Sequence, residues 1–300
     1  MKIIDLKQDV KVIEEGLIIV CGFFDGLHKA HMSLINKALE IKEKTKKEIG
    51  LLTFSTNTKD FIANRPFYFL ESNSDKVEKL NGLVDYFYIL DVNNWLVEMS
   101  PDDFINRYLI KMDYVICGSD FRFGYHGKGD VDLLKTISNF ETVVIDLLYD
   151  NGNKIGTTLI KEKLSLGDIK NANQILGYEY EIKGQVIKGF NRGEKLGFPT
   201  INLKNDGYFL PKGGVYKTKV FVNGIWHTGL TNIGNNPTFD NKDVTIETHI
   251  LNFNKDIYFE YVKIKFIRFI RDEIKFSSIE KLKEQLIKDV EMIKGEEGNE

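Results

Sequence analysis

Two sets of side chains in this 300-residue sequence could do chemistry. His28 and His31 stand three apart where an apolar run gives way to a helical pattern, so they share a face at a helix N-terminus. Backbone N–H donors and the positive end of the helix dipole lie at that face, which favours an anionic ligand. The competing reading is a pair of histidines that only cap a surface helix. Thr200 and Asn202 form the second set. Pro199 fixes its own φ and pushes Phe198 into extended geometry, so residues 198–202 read as a stiff extended segment. Two apart in that segment, the Thr200 hydroxyl and the Asn202 amide oxygen point to one side while Ile201 points to the other. Hard oxygen donors beside a glycine-rich stretch suit a Mg²⁺ that is also held by nucleotide phosphates. Read as packing alone, the same stretch is a surface hairpin with a polar end. Gly184, Gly189 and Gly193 precede it, and their missing side chains predict turns at positive φ and close approach of a ligand to the main chain.

The elements that must position these residues change character along the chain. Leu17–Gly22 reads as an apolar strand, followed by a tight loop and a helix with Leu34, Ile35, Ala38 and Leu39 on one stripe. Apolar strands recur at Ile49–Phe54, Asp85–Leu90, Tyr114–Gly118 and Thr142–Leu147 with helical segments between them, one of them opened by Ser100-Pro101-Asp102-Asp103. Strands alternating with helices predict a doubly wound parallel α/β domain with its ligand at the carboxyl ends of the strands. Phe23–His31 and Gly118–Gly124 both fall there. A short helix opens at Leu166-Gly167-Asp168 and ends at Gly177, placing the junction so that residues 1–178 and 179–300 form separate domains. Beyond it, strand-like runs at Tyr180–Ile187, Val215–Val222, Ile225–Asn232, Val244–Leu251 and Phe259–Ile270 follow one another without helices, which predicts a small antiparallel barrel. In Val244–Leu251, Val244, Ile246 and Ile250 share one face; Glu247 and His249 share the other. An amphipathic helix over Ser278–Ile293, with a capping box from Ser277 and Glu280, closes the chain before a frayed tail at Gly295–Glu300.

The bulk numbers exclude several classes. A net charge of -3 gives no basic face, so no nucleic-acid partner is expected. The N-terminus lacks the apolar core of a signal peptide, and the longest apolar run, Leu17–Phe24, is too short to span a bilayer, so no membrane partner is expected either. Two cysteines, Cys21 and Cys117, have neither metal spacing nor a disulfide framework, which points to buried thiols in a reducing, cytoplasmic compartment. Nothing in the sequence specifies an oligomeric state.

The blocks together resemble the bifunctional bacterial riboflavin kinase/FMN adenylyltransferase family. Gly22–His31 is similar to the HxGH nucleotidyltransferase motif, and Gly118–Gly124 is similar to the Gly-x-Asp-Phe-x-Phe-Gly block of the adenylyltransferase half. Gly184–Asn202 resembles the riboflavin kinase flap and Pro-Thr-x-Asn metal site, continued by Pro211, Gly214-Val215-Tyr216, Asn232-Ile233-Gly234, Pro237-Thr238-Phe239, Glu247-Thr248-His249 and Arg271. The resemblance implies a nucleotidyltransferase-type parallel-sheet domain followed by a kinase barrel, with riboflavin, FMN and ATP as substrates and Mg²⁺ accompanying ATP. It implies ATP or phosphate contacts at Gly22, Phe24, Asp25, Gly26, Thr157, Thr158 and Lys161, and at Gly184, Gly189 and Gly193 in the second half. It also implies flavin contacts at Asp120, Phe121, Phe123 and Arg271, metal ligation by Thr200 and Asn202, charge stabilisation by His28 and His31, and Glu247 as general base; His249 is read as structural. Three departures, Ala30 between the histidines, Ser55–Thr58 in place of an Asp-Pro-His-Pro-like stretch, and Lys161 in place of an arginine, motivate a second reading. In it the chain is a monofunctional riboflavin kinase whose first domain only binds nucleotide or flavin.

Overall fold

The computed structural model describes residues 1–8, 13–189, 193, 197–235 (backbone alone at 235) and 244–294. Two compact units result, Met1–Thr157 and Thr158–Glu300. The first contains β1 (Lys2–Leu6), β2 (Ile18–Cys21), α1 (Lys29–Thr45), β3 (Ile49–Phe54), α2 (Thr58–Ile62), α3 (Asn73–Leu80), β4 (Tyr86–Leu90), α4 (Asn94–Val97), α5 (Pro101–Phe104) running into a π-turn at Ile105–Leu109, β5 (Tyr114–Gly118), α6 (Val131–Lys135), β6 (Glu141–Ile145) and a small hairpin, β7 (Tyr149–Asp150) with β8 (Asn153–Lys154). Its six-stranded sheet has the order β1-β4-β3-β2-β5-β6, and each neighbouring pair is parallel. From β2 the chain winds first to β3 and β4 and then back to β5 and β6, so the switch point lies between the carboxyl ends of β2 and β5.

The sequence explains these elements locally. β2 is buried at all four residues, as a central parallel strand covered on both faces must be. Helix α1 buries Leu34, Ile35 and Ala38 and stops at Lys46, whose left-handed backbone returns its N–H to Lys42 O. Ser100 caps α5 through Asp103 N, with Pro101 at the first turn. Cys21 and Cys117 are free and buried. Strand β1 was not among the expected strands; pairing to β4 at the sheet edge asks for only one buried face, which Ile4 and Leu6 supply.

The second unit holds α7 (Thr157–Ser165, entering from the first unit), α8 (Ile169–Leu176), β9 (Glu181–Ile187), β10 (Ile201–Leu203), β11 (Gly214–Val222), β12 (Ile225–Asn235), β13 (Val244–Ile250), β14 (Tyr261–Arg271) and α9 (Ile279–Lys294). A closed barrel, β10-β13-β12-β11-β14-β9, is antiparallel at every seam. The division at Thr157 falls earlier than the 178/179 junction because α7 and α8 pack with the barrel. Asn173 Nδ2 donates to Phe266 O at 2.9 Å, Asn173 Oδ1 accepts from Tyr180 N at 2.8 Å, and Lys212 N donates to Leu164 O at 2.9 Å. Inside the barrel Thr218, Thr231 and Thr248 are fully buried, and their hydroxyls form a chain at 2.8 and 2.9 Å. Each polar group therefore has a partner in the core. Gly177 caps α8 in the left-handed region, and Asn223-Gly224 turns β11 into β12 with positive φ at both residues. Helix α9 starts one residue later than expected, with Ser278 rather than Ser277 accepting from the first turn, at Lys281 N. The tail at 295–300 lies outside the described residues.

Candidate functional site

In the barrel, ladder register assembles the site. Asn202 on β10 pairs with Glu247 on β13, and Glu247 pairs on its other side with Asn232 on β12. Directly opposed residues of antiparallel strands project from the same face, about 5 Å apart at Cβ. The metal-ligand candidate Asn202, the base candidate Glu247 and Asn232 thus form one row on the outer face, opposite the buried threonines. Glu247 and His249 alternate with buried Ile246, Thr248 and Ile250, as the strand pattern predicts. Asn232 belongs to this row but was not singled out as a site residue; register, which no single strand reveals, is what places it.

His249 fixes the stiff segment from behind. Its Nδ1–H donates to the Pro199 carbonyl at 2.8 Å, and its ring meets Phe198 edge-on at 5.4 Å. Gly184 and Gly189 do not adopt the expected positive φ; the left-handed residue is Gly197, at φ 82. Close approach of chain to chain is what requires them. A Cβ at Gly189 would lie 2.0 Å from Asn202 Nδ2, one at Gly193 2.3 Å from Phe198 O, and one at Gly184 2.3 Å from Lys204 O. Of the flap between Gly189 and Gly193, residues 190–192 lie outside the described residues, as does Pro237-Thr238-Phe239. Beside Pro199 and Thr200 opens a pocket of about 520 Å³ with Val186, Ile250, Ile257 and Tyr258 among its walls. Arg271 is bound to helix α9: Nε and Nη2 donate to the buried Asp289 carboxylate at 2.7–3.1 Å, which also accepts from Gln285.

In the first unit the site sits at the switch point. His28 is the N-cap of α1, and its Nδ1 accepts from His31 N at 3.4 Å, so in the neutral ring the proton is on Nε2. The two imidazoles stack at 3.6 Å, and His31 tilts against Phe24 at 5.1 Å. Burial lowers His28 from its ordinary 6.5 to about 4, and Lys154 adds to the effect. Burial, then the charges of His28 and Lys76, also lowers His31 well below its usual value. Both rings are neutral at pH 7, so the attraction for an anion rests on the helix N-terminus and on other cations. His31 Nδ1 is buried with no hydrogen-bond partner among the described residues. A pocket of about 210 Å³ joins His28, His31, Gly118, Asp120, Lys154, Gly156 and Thr157.

The loop between β2 and α1 is held under strain. Phe24 and Leu27 have φ of 56 and 31, a region bulky side chains rarely occupy. Phe24 and Asp25 turn fully inward. Asp25 Oδ1 accepts from Leu70 N at 2.7 Å and Glu71 N at 3.2 Å, while Phe23 O receives Thr53 Oγ1 at 2.8 Å and the buried Lys76 Nζ at 3.2 Å. Thr157 Oγ1 closes the loop by donating to Asp25 O at 3.1 Å. A Cβ at Gly22 would strike the Phe24 ring at 2.9 Å. Next to this lock, burial raises Glu71 to about 7 despite its 2.5 Å ion pair with Lys79. Of the remaining candidates, Gly26 is buried and left-handed, Phe121 is half-buried and stacks at 5.6 Å on Phe123, and Phe123 is itself in the core against Phe104. Thr158 is exposed, and Lys161 lies 5.5 Å over the Phe209 ring. Lys154 was missed by sequence reading; the Asn151-Gly152 pair, both at positive φ, is the hairpin signal that would have placed it.

Comparison with known proteins agrees with this two-site architecture. A family model for FAD synthetase matches residues 10–159, and one for riboflavin kinase matches residues 176–295. The chain is 37% identical over 281 residues to a bifunctional riboflavin kinase/FMN adenylyltransferase of Listeria monocytogenes, covering 91% of this chain and 90% of that protein. To the protein of the same name from Bacillus subtilis it is 32% identical, covering 96% of each. A crystal structure from Streptococcus pneumoniae, named there a macrolide-efflux protein, superposes with a TM-score of 0.90 at 29% identity, over 98% of this chain and 99% of that one. No helix among the described residues is long and apolar enough to cross a membrane. With both family models in order along the chain and relatives above 30% identity over nearly its whole length, the chain belongs to the bifunctional riboflavin kinase/FMN adenylyltransferase family.

Proposed function

We propose that this chain phosphorylates riboflavin to FMN with ATP and then adenylylates FMN to FAD with release of pyrophosphate, the kinase step within residues 179–300 and the adenylyl step within 1–178. The observation that carries the reading is the Asn202–Glu247 register in the barrel, in a chain that also holds a histidine-capped pocket at the switch point of a parallel sheet. Both family models on one chain favour two activities over a kinase with a silent first domain.

In the kinase step Glu247 accepts the proton of the terminal ribityl hydroxyl as that oxygen attacks the γ-phosphorus; the proton moves late in a loose transition state, so a carboxylate suffices. Thr200 and Asn202 would hold the Mg²⁺ that accompanies ATP. Two protein oxygen donors leave the rest of such an ion's coordination to nucleotide phosphates and water. When bound, Mg²⁺ neutralises charge on the transferring phosphoryl group. The absent Cβ at Gly189 leaves the Asn202 amide room to take its position. The pocket beside Thr200, with apolar Val186, Ile250 and Ile257 and polar Asn254, Lys255 and Asp256 in its walls, would take the nucleobase. Arg271, tied to Asp289, acts on the flavin side by fixing the end of β14 to α9.

In the adenylyl step the phosphate of FMN is already an anion, so no general base is required. Neutral His28 and His31 donate hydrogen bonds, the α1 N-terminus adds backbone donors, and the strained 22–28 loop holds both in place. Phe24, Asp25 and Phe123 serve by holding that loop and its neighbour, and Phe121 and Asp120 face the flavin. The protein is cytoplasmic in this account and uses neither nucleic acid nor membrane. Incubating pure protein with riboflavin, ATP and Mg²⁺ and separating the flavins tests it: FMN should appear first and FAD second. No FMN would end the kinase assignment; FMN that never becomes FAD would end the adenylyltransferase one.

A further inference from the structure

The chain has two cysteines, and the fold sets them side by side. Strands β2 and β5 run parallel with Ile18 beside Tyr114, Ile19 beside Val115 and Val20 beside Ile116, so the next step of that register carries Cys21 beside Cys117. Both thiols are buried in one apolar cluster, which puts them on the same face of the sheet, and Cys117 is near enough to act electrostatically on Cys21. The pair sits where the sheet forks. Cys21 stays paired to Leu52 of β3 and Cys117 to Val144 of β6, while the ladder between β2 and β5 ends at Val20 and Ile116. This fork is the crevice of the adenylyl pocket: Gly22 opens the strained loop that leads to His28, and Gly118 lines the pocket itself. Neighbouring strands lie about 5 Å apart, inside the roughly 4.4–6.8 Å between Cα atoms that a disulfide spans. Its Cβ atoms must stand closer, at about 4 Å, so closing the bond draws the two strand ends together. Burial pushes Cys21 well above its usual value and Cys117 up to about 12, so both thiols are protonated at pH 7 and oxidise slowly.

We propose that Cys21 and Cys117 are a modification site: peroxide joins them in a reversible disulfide that stops the adenylyl step and spares the kinase step. The consequence for FAD rests on the adenylyltransferase reading of the first unit; the bond itself does not. One thiol sulfur attacks hydrogen peroxide, the O–O bond breaks, and the sulfur becomes a sulfenic acid with release of one water. The second thiol attacks that sulfur, the S–S bond forms, the S–O bond breaks, and the hydroxyl leaves with the thiol proton as a second water. Two electrons pass from the sulfurs to the peroxide. The bond pulls Gly22 and Gly118 toward one another, and the pocket wall that begins at Gly118 moves with them. No strand of the barrel belongs to this sheet, so riboflavin phosphorylation continues and an oxidised chain makes FMN without FAD. A strained bond between adjacent strands is readily reduced, which makes the change transient in a reducing compartment.

The test treats the full-length protein with hydrogen peroxide, removes the excess with catalase, counts thiols after denaturation, and assays FAD formation from FMN and FMN formation from riboflavin, each with ATP and Mg²⁺. The count should fall from two to none without cross-linked chains on a non-reducing gel. FAD formation should fall about a hundredfold while FMN formation holds, and dithiothreitol should restore both the thiols and the activity. That recovery separates the bond from methionine oxidation, which needs a reductase to reverse, and it requires no variant. Cys117→Ala and Cys21→Ala should each make FAD before peroxide and keep doing so after it. A count that stays at two, a disulfide-bonded protein that makes FAD at the reduced rate, or a loss in either alanine variant as deep as in wild type would overturn the proposal. Reduced wild-type protein that makes no FAD from FMN would instead remove the adenylyltransferase reading, and the thiol count would then decide the bond alone.

Discussion

The barrel places Asn202, Glu247 and Asn232 side by side through β-ladder register, with a hydroxyl-linked threonine chain in the core behind them. The parallel-sheet unit places His28, His31 and Thr157 through a loop, and that loop keeps two left-handed non-glycine residues only because Thr53, Lys76, Leu70 and Glu71 bind it from the side. One site inherits its geometry from secondary structure; the other depends on buried polar groups whose charge responds to pH. The two should therefore fail differently under mutation and under acid.

Short of the base itself, the largest contrast is expected at the metal-ligand candidate. Asn202→Ala should slow FMN formation about a thousandfold and leave conversion of supplied FMN to FAD untouched, as read by separate flavin assays. Acid should act mainly on the other unit. For His28 the folded value of about 4 lies below the ordinary 6.5, so the unfolded chain binds more protons between them. The stability from its neutral burial is whole above pH 6.5 and is lost as pH falls through about 4, about 3 kcal/mol at most. Glu71 runs the other way: its folded value of about 7 exceeds 4.5, so its contribution is present below 4.5 and is lost as pH rises through about 7. Denaturant unfolding of wild type and His28→Gln at pH 7.5 and 5 separates the two, since only the histidine difference should vanish in the variant. Equal pH slopes would remove the buried neutral imidazole from the account.

Gly189→Ala should be milder than Asn202→Ala. Its new methyl meets the Asn202 amide, so FMN formation should fall about tenfold with FAD formation unchanged. Smallest is Thr53→Val, which removes one of two donors to Phe23 O and should cost about 1 kcal/mol of stability together with a higher KM for ATP in the adenylyl step alone. A rise in the kinase KM as well would break the separation of the sites.

The same contrast decides what the sequence reveals. Strand alternation placed Glu247 and His249 on one face, and Pro199 announced the extended Thr200–Asn202 segment, because each signal spans only a few neighbouring residues. Register across strands is not local, so Asn232 was not recognised as their companion and β10 was not recognised as the strand that closes the barrel. In the first unit the His28-to-His31 spacing and the alternation of strands with helices were readable. The lock was not: its members, the side chains of Thr53, Lys76 and Thr157 and the backbone N–H of Leu70, are scattered over a hundred residues and carry no local signal until the fold brings their contacts together. The glycines before Pro199 were noticed for a conformation that Gly184 and Gly189 do not adopt, since sequence alone does not distinguish positive φ from a missing Cβ.

The separation of the two sites is tested most directly by Glu247→Gln supplied once with riboflavin and once with FMN, each with ATP and Mg²⁺. This account predicts no detectable FMN from riboflavin and FAD formation from FMN at the wild-type rate. Loss of both products, or FMN formed at the wild-type rate, would contradict it.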